Sequence, residues 1–127
     1  MIRDLYNNIE VAISTAPVAA TAAGGAVNGT GVDLQGFDSA SVILEMSATG
    51  TATGKIQESD AAASGFADAA AADVQGSQGI SLVVGSVVKL GYIGAKRYIR
   101  SVITPTVDAA AISSVVVKGN ANNLKVS

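Results

Sequence analysis

The chain contains no cysteine, no histidine and no tryptophan among its 127 residues. Without cysteine it can form neither disulfides nor thiolate metal sites. Without histidine it lacks the usual general base near neutral pH, the commonest metal ligand and every Ser-His or Cys-His nucleophile. These absences exclude hydrolases of those types. We therefore predict that the protein is not an enzyme, with no catalytic residue, no cofactor and no metal site.

Large apolar side chains are also scarce. Only five residues are aromatic, so alanine, valine, isoleucine and glycine must supply most of the core. A domain of this length can bury roughly two thirds of its unfolded surface, but small side chains contribute less apolar area each. We expect self-association or a partner to add to the stability of the fold.

The net charge of −2 is unevenly distributed along the chain. Residues 1–75 carry nine acidic and two basic side chains, whereas residues 76–127 carry one acidic and six basic side chains. The simpler explanation is that acidic and basic strands lie side by side and neutralise each other. The alternative is an oligomer in which opposite surfaces meet head to tail. Overall acidity argues against non-specific nucleic-acid binding, and we expect no nucleic-acid partner.

Targeting and membrane patterns are not apparent in the sequence. Asp4 and Glu10 lie where a signal peptide would have cations and then an apolar run. The apolar stretch APVAATAAGGAV is short, and Pro17 and two glycines interrupt it. We expect no membrane span, and a protein that stays where it is made.

Alternating apolar and polar residues predict an all-β domain over residues 29–127. Strands are predicted in ASVILEM, TGKIQES, KRYIRSVIT and ISSVVVKG. One long strand is predicted in SLVVGSVVKLGYI. The alanine-rich residues 60–76 are predicted to be a loop with a helical turn, because Gly65 interrupts them. Such a set without crossover helices indicates an antiparallel β-sandwich or a jelly-roll-like barrel. In ASVILEM, one face of the predicted strand holds Ala40, Val42, Leu44 and Met46, and the other holds Ser41, Ile43 and Glu45.

Residues 1–28 differ from the rest of the chain. IEVAIS predicts one short strand with Ile9, Val11 and Ile13 on the same side. The following TAPVAATAAGGAVNGTG has no strong period and ends in turn signals. We predict an extended N-terminal arm, with a disordered leader as the alternative. The arm could add its strand to the sheet edge of a neighbouring molecule through Ile9, Val11 and Ile13.

The run YIGAKRYIRSVIT at residues 92–104 holds two of the five aromatic and three of the eight basic residues. On a strand, Lys96, Tyr98 and Arg100 share one face. Aromatic and basic residues together can bind single-stranded nucleic acid, but one tyrosine is a poor stacking platform. We therefore predict a protein interface at Lys96, Tyr98 and Arg100, or pairing with an acidic neighbour. The predicted inner face of the strand consists of Ile99, Ser101 and Ile103.

An acidic loop could in principle hold Ca²⁺, since oxygen ligands suit that ion. The spacing of an EF-hand loop is absent, however. A carboxylate pair could also serve a glycosidase, but a sugar site needs more aromatic residues than this chain offers. We favour solvated carboxylates. The residues concerned are Glu58, Asp60, Asp68 and Asp73.

Three segments carry a resemblance to a known family. They are TGVDLQGFDSA at residues 30–40, QESD with SGFAD within residues 57–68, and YIGAKRYIR at residues 92–100. In this order they resemble the small head decoration, or cement, proteins of tailed bacteriophages. The alanine-rich stretch between QESD and SGF lacks the Asp-Gly turn expected in such a loop. Residues 1–28 lie outside the resemblance.

The resemblance implies a β-sandwich or jelly-roll-like fold and attachment to the outer surface of the virion head. The partner would be the major capsid protein of the same phage, and the chain would be made in the host cytoplasm. It further implies homo-oligomers at symmetry axes, for which we favour a trimer over a dimer. Two alternatives stay open: another virion structural protein of the tail tube, tail tip or head completion, and a Ca²⁺- or carbohydrate-binding adhesion module.

Overall fold

The computed structural model describes residues 5–47, 50–107 and 109–121. Most of these residues form strands in two antiparallel sheets, with a shared apolar core between the sheets. The predicted all-β fold with the character of a β-sandwich is confirmed. Helical structure is confined to single turns: α1 (Leu5–Asn8) and two 3₁₀ turns, Ala22–Gly24 and Ala71–Asp73.

The first sheet, called sheet A here, has five strands. Their spatial order is β1 (Ile9–Ala20), β11 (Ala109–Ala121), β4 (Phe37–Met46), β9 (Ser86–Tyr92) and β7 (Val74–Gln75). Each neighbouring pair is antiparallel. The first strand of the chain therefore lies beside the last described one.

The second sheet, sheet B, is built around one long pair of strands, β5 (Thr51–Ser59) and β10 (Tyr98–Val107). The outer side of β10 pairs with β2 (Val27–Asn28) and β3 (Val32–Asp33). The outer side of β5 pairs with β6 (Ala67–Asp68) and β8 (Ile80–Val83). The predicted loop at residues 60–76 contains β6, one 3₁₀ turn and β7, so the predicted helical turn is confirmed.

The core lies between the inner faces of the two sheets. On sheet A the predicted alternation of β4 is confirmed, since Val42, Leu44 and Met46 share one face and are fully buried. On sheet B, Ile99 and Ile103 are likewise fully buried, as the alternation of β10 predicts. Burying a side chain of this size stabilises the fold by roughly 1.5–3 kcal/mol.

The long strand predicted over SLVVGSVVKLGYI is wrong. The chain turns at Val84 and Gly85, where Gly85 has a φ of 75°, and the Ser86 hydroxyl donates to the carbonyl oxygen of Val83 (2.6 Å). Before this turn β8 belongs to sheet B, and after it β9 belongs to sheet A. Val84 lies at the turn and is 54% exposed, whereas Leu82 in β8 is fully buried.

Most of residues 9–28 lie within the two sheets, as β1 in sheet A and β2 in sheet B. The predicted strand at IEVAIS is confirmed, and it continues to Ala20 as β1, an edge strand of sheet A. It pairs with β11 from Ile9 onward, whereas a separate arm would leave the domain. The physical reason is that Ala12 packs against the core and that Ser14 is buried. Residues 1–4 lie outside the described residues.

Four buried hydroxyl groups join β1 to its neighbour β11 in sheet A and to β10 in sheet B. Thr15 Oγ1 lies 3.0 Å from Ser101 Oγ, and the Thr15 N–H donates to Ser114 Oγ (3.0 Å). Ser14 Oγ accepts the Ser101 N–H (3.0 Å), and the Ser101 and Ser114 hydroxyls are also hydrogen-bonded. This hydroxyl cluster (Ser14, Thr15, Ser101 and Ser114) satisfies polar groups that would be costly to bury alone.

Candidate functional site

The residues predicted for a polar contact lie around the start of β10. Tyr98 and Arg100 are half-buried on the outer face of sheet B, while Lys96 is exposed in the loop that precedes the strand. The strand begins at Tyr98 and not at Lys96, because the loop folds over Tyr92 and its Lys96 N–H donates to the Tyr92 hydroxyl (3.1 Å). The structure thus brings the three predicted residues into one region.

Arg100 is held by its own chain. Its Nε and Nη2 both donate to Gln57 Oε1, at 2.9 and 2.7 Å, and its guanidinium lies over the Phe66 ring at 4.4 Å. Gln57 in turn donates to Asp68 Oδ1 (2.9 Å), and Lys55 pairs with the same carboxylate. The Gln57 hydrogen bond and the Lys55 ammonium lower the pKa of Asp68. A polar network therefore covers part of the outer face of sheet B.

The other two cations of this region also have carboxylate partners. Lys96 Nζ lies 2.8 Å from Asp60 Oδ2, which is one of the acidic partners expected from the sequence. Arg97 makes a bidentate ion pair with Asp33: Nε donates to Oδ1 (2.9 Å) and Nη2 donates to Oδ2 (2.8 Å). In both pairs the acid comes from the acidic part of the chain and the base from the basic part. The pairs support the simpler explanation of the charge asymmetry, neutralisation within one fold.

A cleft of 370 Å³ opens at this end of the sandwich. Tyr92 lies against it, with its hydroxyl donating to Glu58 Oε1 (2.8 Å). Burial, with Glu58 close by, raises the pKa of Tyr92 to about 12, so the phenol stays neutral. Gly94 allows the loop to approach, since a Cβ there would lie 2.5 Å from the Tyr92 hydroxyl. The cleft is lined by Leu34, Phe37, Tyr92, Gly94, Lys96 and Arg97, among others.

The chemistry of the cleft suits recognition better than proton transfer. It offers a neutral phenol, two cations already paired with carboxylates, and walls of mixed polar and apolar side chains. A general base would need a titrating group free to exchange protons near neutral pH. Within the described ranges, no group of three or more acidic side chains lies close enough together to hold a metal ion. The members of the acidic loop are instead separated, with Asp60 on Lys96 and Asp68 on Lys55.

Lys118 is a buried cation that the sequence did not single out. Its side chain is only 9% exposed, yet Nζ lies 3.4 Å from Glu10 Oε1 and donates to the Asp33 carbonyl oxygen (3.1 Å). It also lies 5.2 Å from the Phe37 ring centroid. A buried charge of this kind needs such partners to be tolerated. The alternation of β11 could have indicated the burial of Lys118, since Lys118 is two residues from Val116 and shares the inner face with it.

The apolar residues predicted for an interface lie on the edge strand β1. Val11 and Ile13 are 56% and 59% exposed, and Ile9 is half-buried. Their register partners on β11 include Val117 and Val115, whose side chains also face away from the core. Sheet A therefore presents an aliphatic strip along this edge. A second apolar area, at Val84 and Val87, was missed because its exposure depends on the turn at Gly85.

Asp33→Asn is expected to lower the stability of the fold slightly at neutral pH, and the loss should shrink in acid. Hydrogen bonds from Arg97 and from the Gln35 N–H hold the pKa of Asp33 at about 2, below the ordinary 3.8. Because this folded-state value is depressed, the carboxylate stabilises the fold above pH 3.8, and the contribution is lost as the pH falls toward 2. Both side chains are over 40% exposed, so the unfolding midpoint should differ by less than about 4 °C.

The measurement is thermal unfolding of both proteins at pH 7 and near pH 2. The difference between them should be present at neutral pH and shrink in acid. A difference that is equal at both values would show that the pair is not the source of the effect.

Comparisons with known proteins give no family for the chain. No protein-family model, no curated protein and no solved structure matches it. Within the described ranges, none of the helices has the length and apolar character needed to cross a bilayer.

Proposed function

We propose that this chain is a bacteriophage head decoration, or cement, protein. It binds the outer surface of the capsid and stabilises the mature shell by bridging neighbouring major capsid subunits. The observation that supports this proposal is the mutual contact of the three segments that resemble the family. Residues 30–40, 57–68 and 92–100 are far apart in sequence, yet their side chains are one another's partners.

The contacts join each segment to the others. Asp33 of the first segment pairs with Arg97 of the third, and Asp60 of the second pairs with Lys96. Between the first and second, a Cβ at Gly31 would lie 2.8 Å from Phe66 Cζ, so these residues pack closely. These contacts support the view that the motifs define a folded unit. The proposal therefore places the function in the binding of partners at the surface.

The mechanism we propose is stabilisation by selective binding. Surfaces of neighbouring capsid subunits become adjacent only in the mature shell, and a protein that binds them there favours the assembled state by mass action. Each contact can be weak, because the symmetry of the shell repeats it many times. The proposal keeps a jelly-roll-like strand order, a trimer in preference to a dimer, and a polar contact face at Lys96, Tyr98 and Arg100.

The alternatives differ in what supports them. A tail-tube, tail-tip or head-completion protein would also be rich in strands and small residues, and differs in copy number. A Ca²⁺- or carbohydrate-binding module is less well supported, because Asp60 and Asp68 are paired with lysines and Glu58 accepts a hydrogen bond from the Tyr92 hydroxyl.

The test is the copy number of the chain in purified, DNA-filled particles, relative to the most abundant shell protein. We expect a ratio near one to one or a fixed fraction of it. A handful of copies per particle would place the chain at the tail or portal. Absence from particles would overturn the virion proposal.

A second assay addresses the mechanism directly. Purified chain should co-sediment with mature heads that lack it and not with separated capsid subunits at the same subunit concentration. Equal binding to both would contradict stabilisation of the shell by selective binding.

A further inference from the structure

The sequence contains a single Asn-Gly dipeptide, at Asn28 and Gly29. Asn-Gly is a strong signal for a tight turn in which both residues have positive φ. The structure instead places Asn28 at the end of the extended strand β2, in register with Val102 of β10. Gly29 follows directly, and its φ is not in the left-handed region. A turn therefore does not explain the glycine.

Lack of space explains the glycine at position 29. Its N–H donates to the Ser101 carbonyl oxygen (2.8 Å), and a Cβ would lie 2.9 Å from the same oxygen. The next N–H, of Thr30, donates to the Ser14 carbonyl oxygen (2.6 Å). The chain is thus held between β10 and β1, and Gly29 is buried, whereas Asn28 beside it is exposed.

An asparagine followed by glycine is chemically labile. Asparagine is one of the thermolabile residues, and a glycine, which has no Cβ, lets its backbone approach closely. The Gly29 nitrogen attacks Cγ of Asn28 and forms a new C–N bond. The bond from Cγ to the side-chain nitrogen breaks, and that nitrogen leaves as ammonia with the proton of the Gly29 N–H. The product is a five-membered succinimide ring.

Water then opens the ring at either of its carbonyl carbons. One product is aspartate at position 28. The other is isoaspartate, in which the main chain runs through Cγ and is longer by one carbon atom. The two products differ in their effect on the fold, because only isoaspartate changes the path of the backbone.

The native contacts oppose the formation of the ring. Ring closure requires ψ of Asn28 to rotate far from the extended value of a strand. This rotation would move the Gly29 nitrogen away from the Ser101 carbonyl oxygen and break their hydrogen bond. Gly29 is also buried, away from the water that assists proton transfer. The reaction therefore proceeds through molecules that have opened locally or unfolded.

We infer that Asn28 is a deamidation site that the native fold protects and that unfolding exposes. Isoaspartate in place of Asn28 adds an atom before Gly29, so the pairing with Val102 and the hydrogen bond to Ser101 cannot both form. Chains modified in this way cannot return to the native fold. Unfolding thus becomes irreversible with time, which makes the lifetime of the protein a kinetic property. The inference does not depend on the proposed function.

The first experiment compares Asn28 with the same dipeptide in an unprotected place. Ser64→Asn puts an asparagine before Gly65 in the exposed loop between β5 and β6. The variant is incubated at mildly alkaline pH with and without concentrated urea, and isoaspartate at each site is measured by peptide mapping and mass spectrometry. Circular dichroism checks that the variant folds. If it does not, a synthetic peptide of residues 24–33 supplies the unprotected rate.

Without urea, the Ser64→Asn site should deamidate at least about tenfold faster than Asn28, because Asn28 reacts only in the opened state. In urea the two rates should agree within about twofold, since the fold no longer distinguishes the sites. Equal rates without urea overturn the protection by the fold. A slow reaction of Asn28 in urea does so too, because the neighbouring sequence would then be the cause.

The second experiment tests whether the modification prevents refolding. Wild type and Asn28→Ser are held in urea for increasing times and then diluted, and the recovered circular dichroism signal is measured. Serine has no amide nitrogen to lose, and the position is exposed, so the substitution should cost little stability. The refolded fraction of the wild type should fall as isoaspartate accumulates, while that of Asn28→Ser stays constant. Isoaspartate chains that refold, or an equal loss in Asn28→Ser, would overturn the inferred irreversibility.

Discussion

Deletion of residues 1–14 is expected to unfold the domain, and not to remove a dispensable arm. The deletion takes away the regular part of β1 and its pairing with β11. It also removes Ser14 Oγ, which accepts from the Ser101 N–H and donates to the Thr30 carbonyl oxygen (3.1 Å). Each buried polar group left without a partner costs about 1–3 kcal/mol. The total stability of such a domain is only about 5–15 kcal/mol.

The matched control is a deletion that ends at Asn8 and keeps the whole of β1. Both proteins are examined by circular dichroism and by urea denaturation at neutral pH. The shorter deletion should retain a cooperative transition, whereas the longer one should lose it or have a midpoint shifted to much lower urea. If the two midpoints coincide, residues 9–14 are a separable arm after all.

Gly29→Ala is expected to be among the most damaging single substitutions in the chain. The Gly29 N–H donates to the carbonyl oxygen of Ser101 (2.8 Å), which holds the chain against β10. A methyl group at Gly29 would overlap Ser14 Oγ and lie 2.9 Å from the Ser101 carbonyl oxygen. Because one contact is with backbone, a rotation of side chains cannot relieve it. Overpacking of this kind costs about 1–3 kcal/mol, and disruption of the hydroxyl cluster adds to that cost.

Gly119→Ala is the control for this substitution. Gly119 lies in β11, and a Cβ there would meet Ser39 Oγ at 3.6 Å and Ile9 Cγ2 at 3.9 Å, which are ordinary contacts. An alanine that fits should leave the free energy of unfolding unchanged or raise it slightly. Chemical denaturation of the three proteins decides the matter. Similar losses for both variants would show that the crowding at Gly29 is not the cause.

The alternation of single strands could be predicted because it is a local property. The inner faces of β4 and β10 follow from residues two apart, and Leu44 and Ile99 are buried as expected. The break within residues 81–93 could not be seen from alternation, since Leu82, Val84 and Val88 continue one pattern through the turn. Gly85 was the local sign of that break. The place of β1 in sheet A depends on a partner about a hundred residues away, which no local pattern contains.

The candidate site was predictable to a similar degree. Pairing of Lys96 with an acidic residue was expected from the chemistry of the two types, and Asp60 fulfils it. The pair of Arg97 with Asp33 requires the register of β3 on β10, which the sequence does not reveal.

The pairing of Ile9 with Gly119 also determines when folding can finish. During synthesis the strand β1 leaves the ribosome first, and β11 becomes available only after residue 119 has been added. Contacts between such distant residues form slowly, because a long loop must close before they repay the lost entropy. Until that moment the edge of β1 that pairs with β11 has no partner. Sheet A is therefore complete only on chains whose synthesis has passed that point, and unfinished chains carry β1 as an unpaired strand.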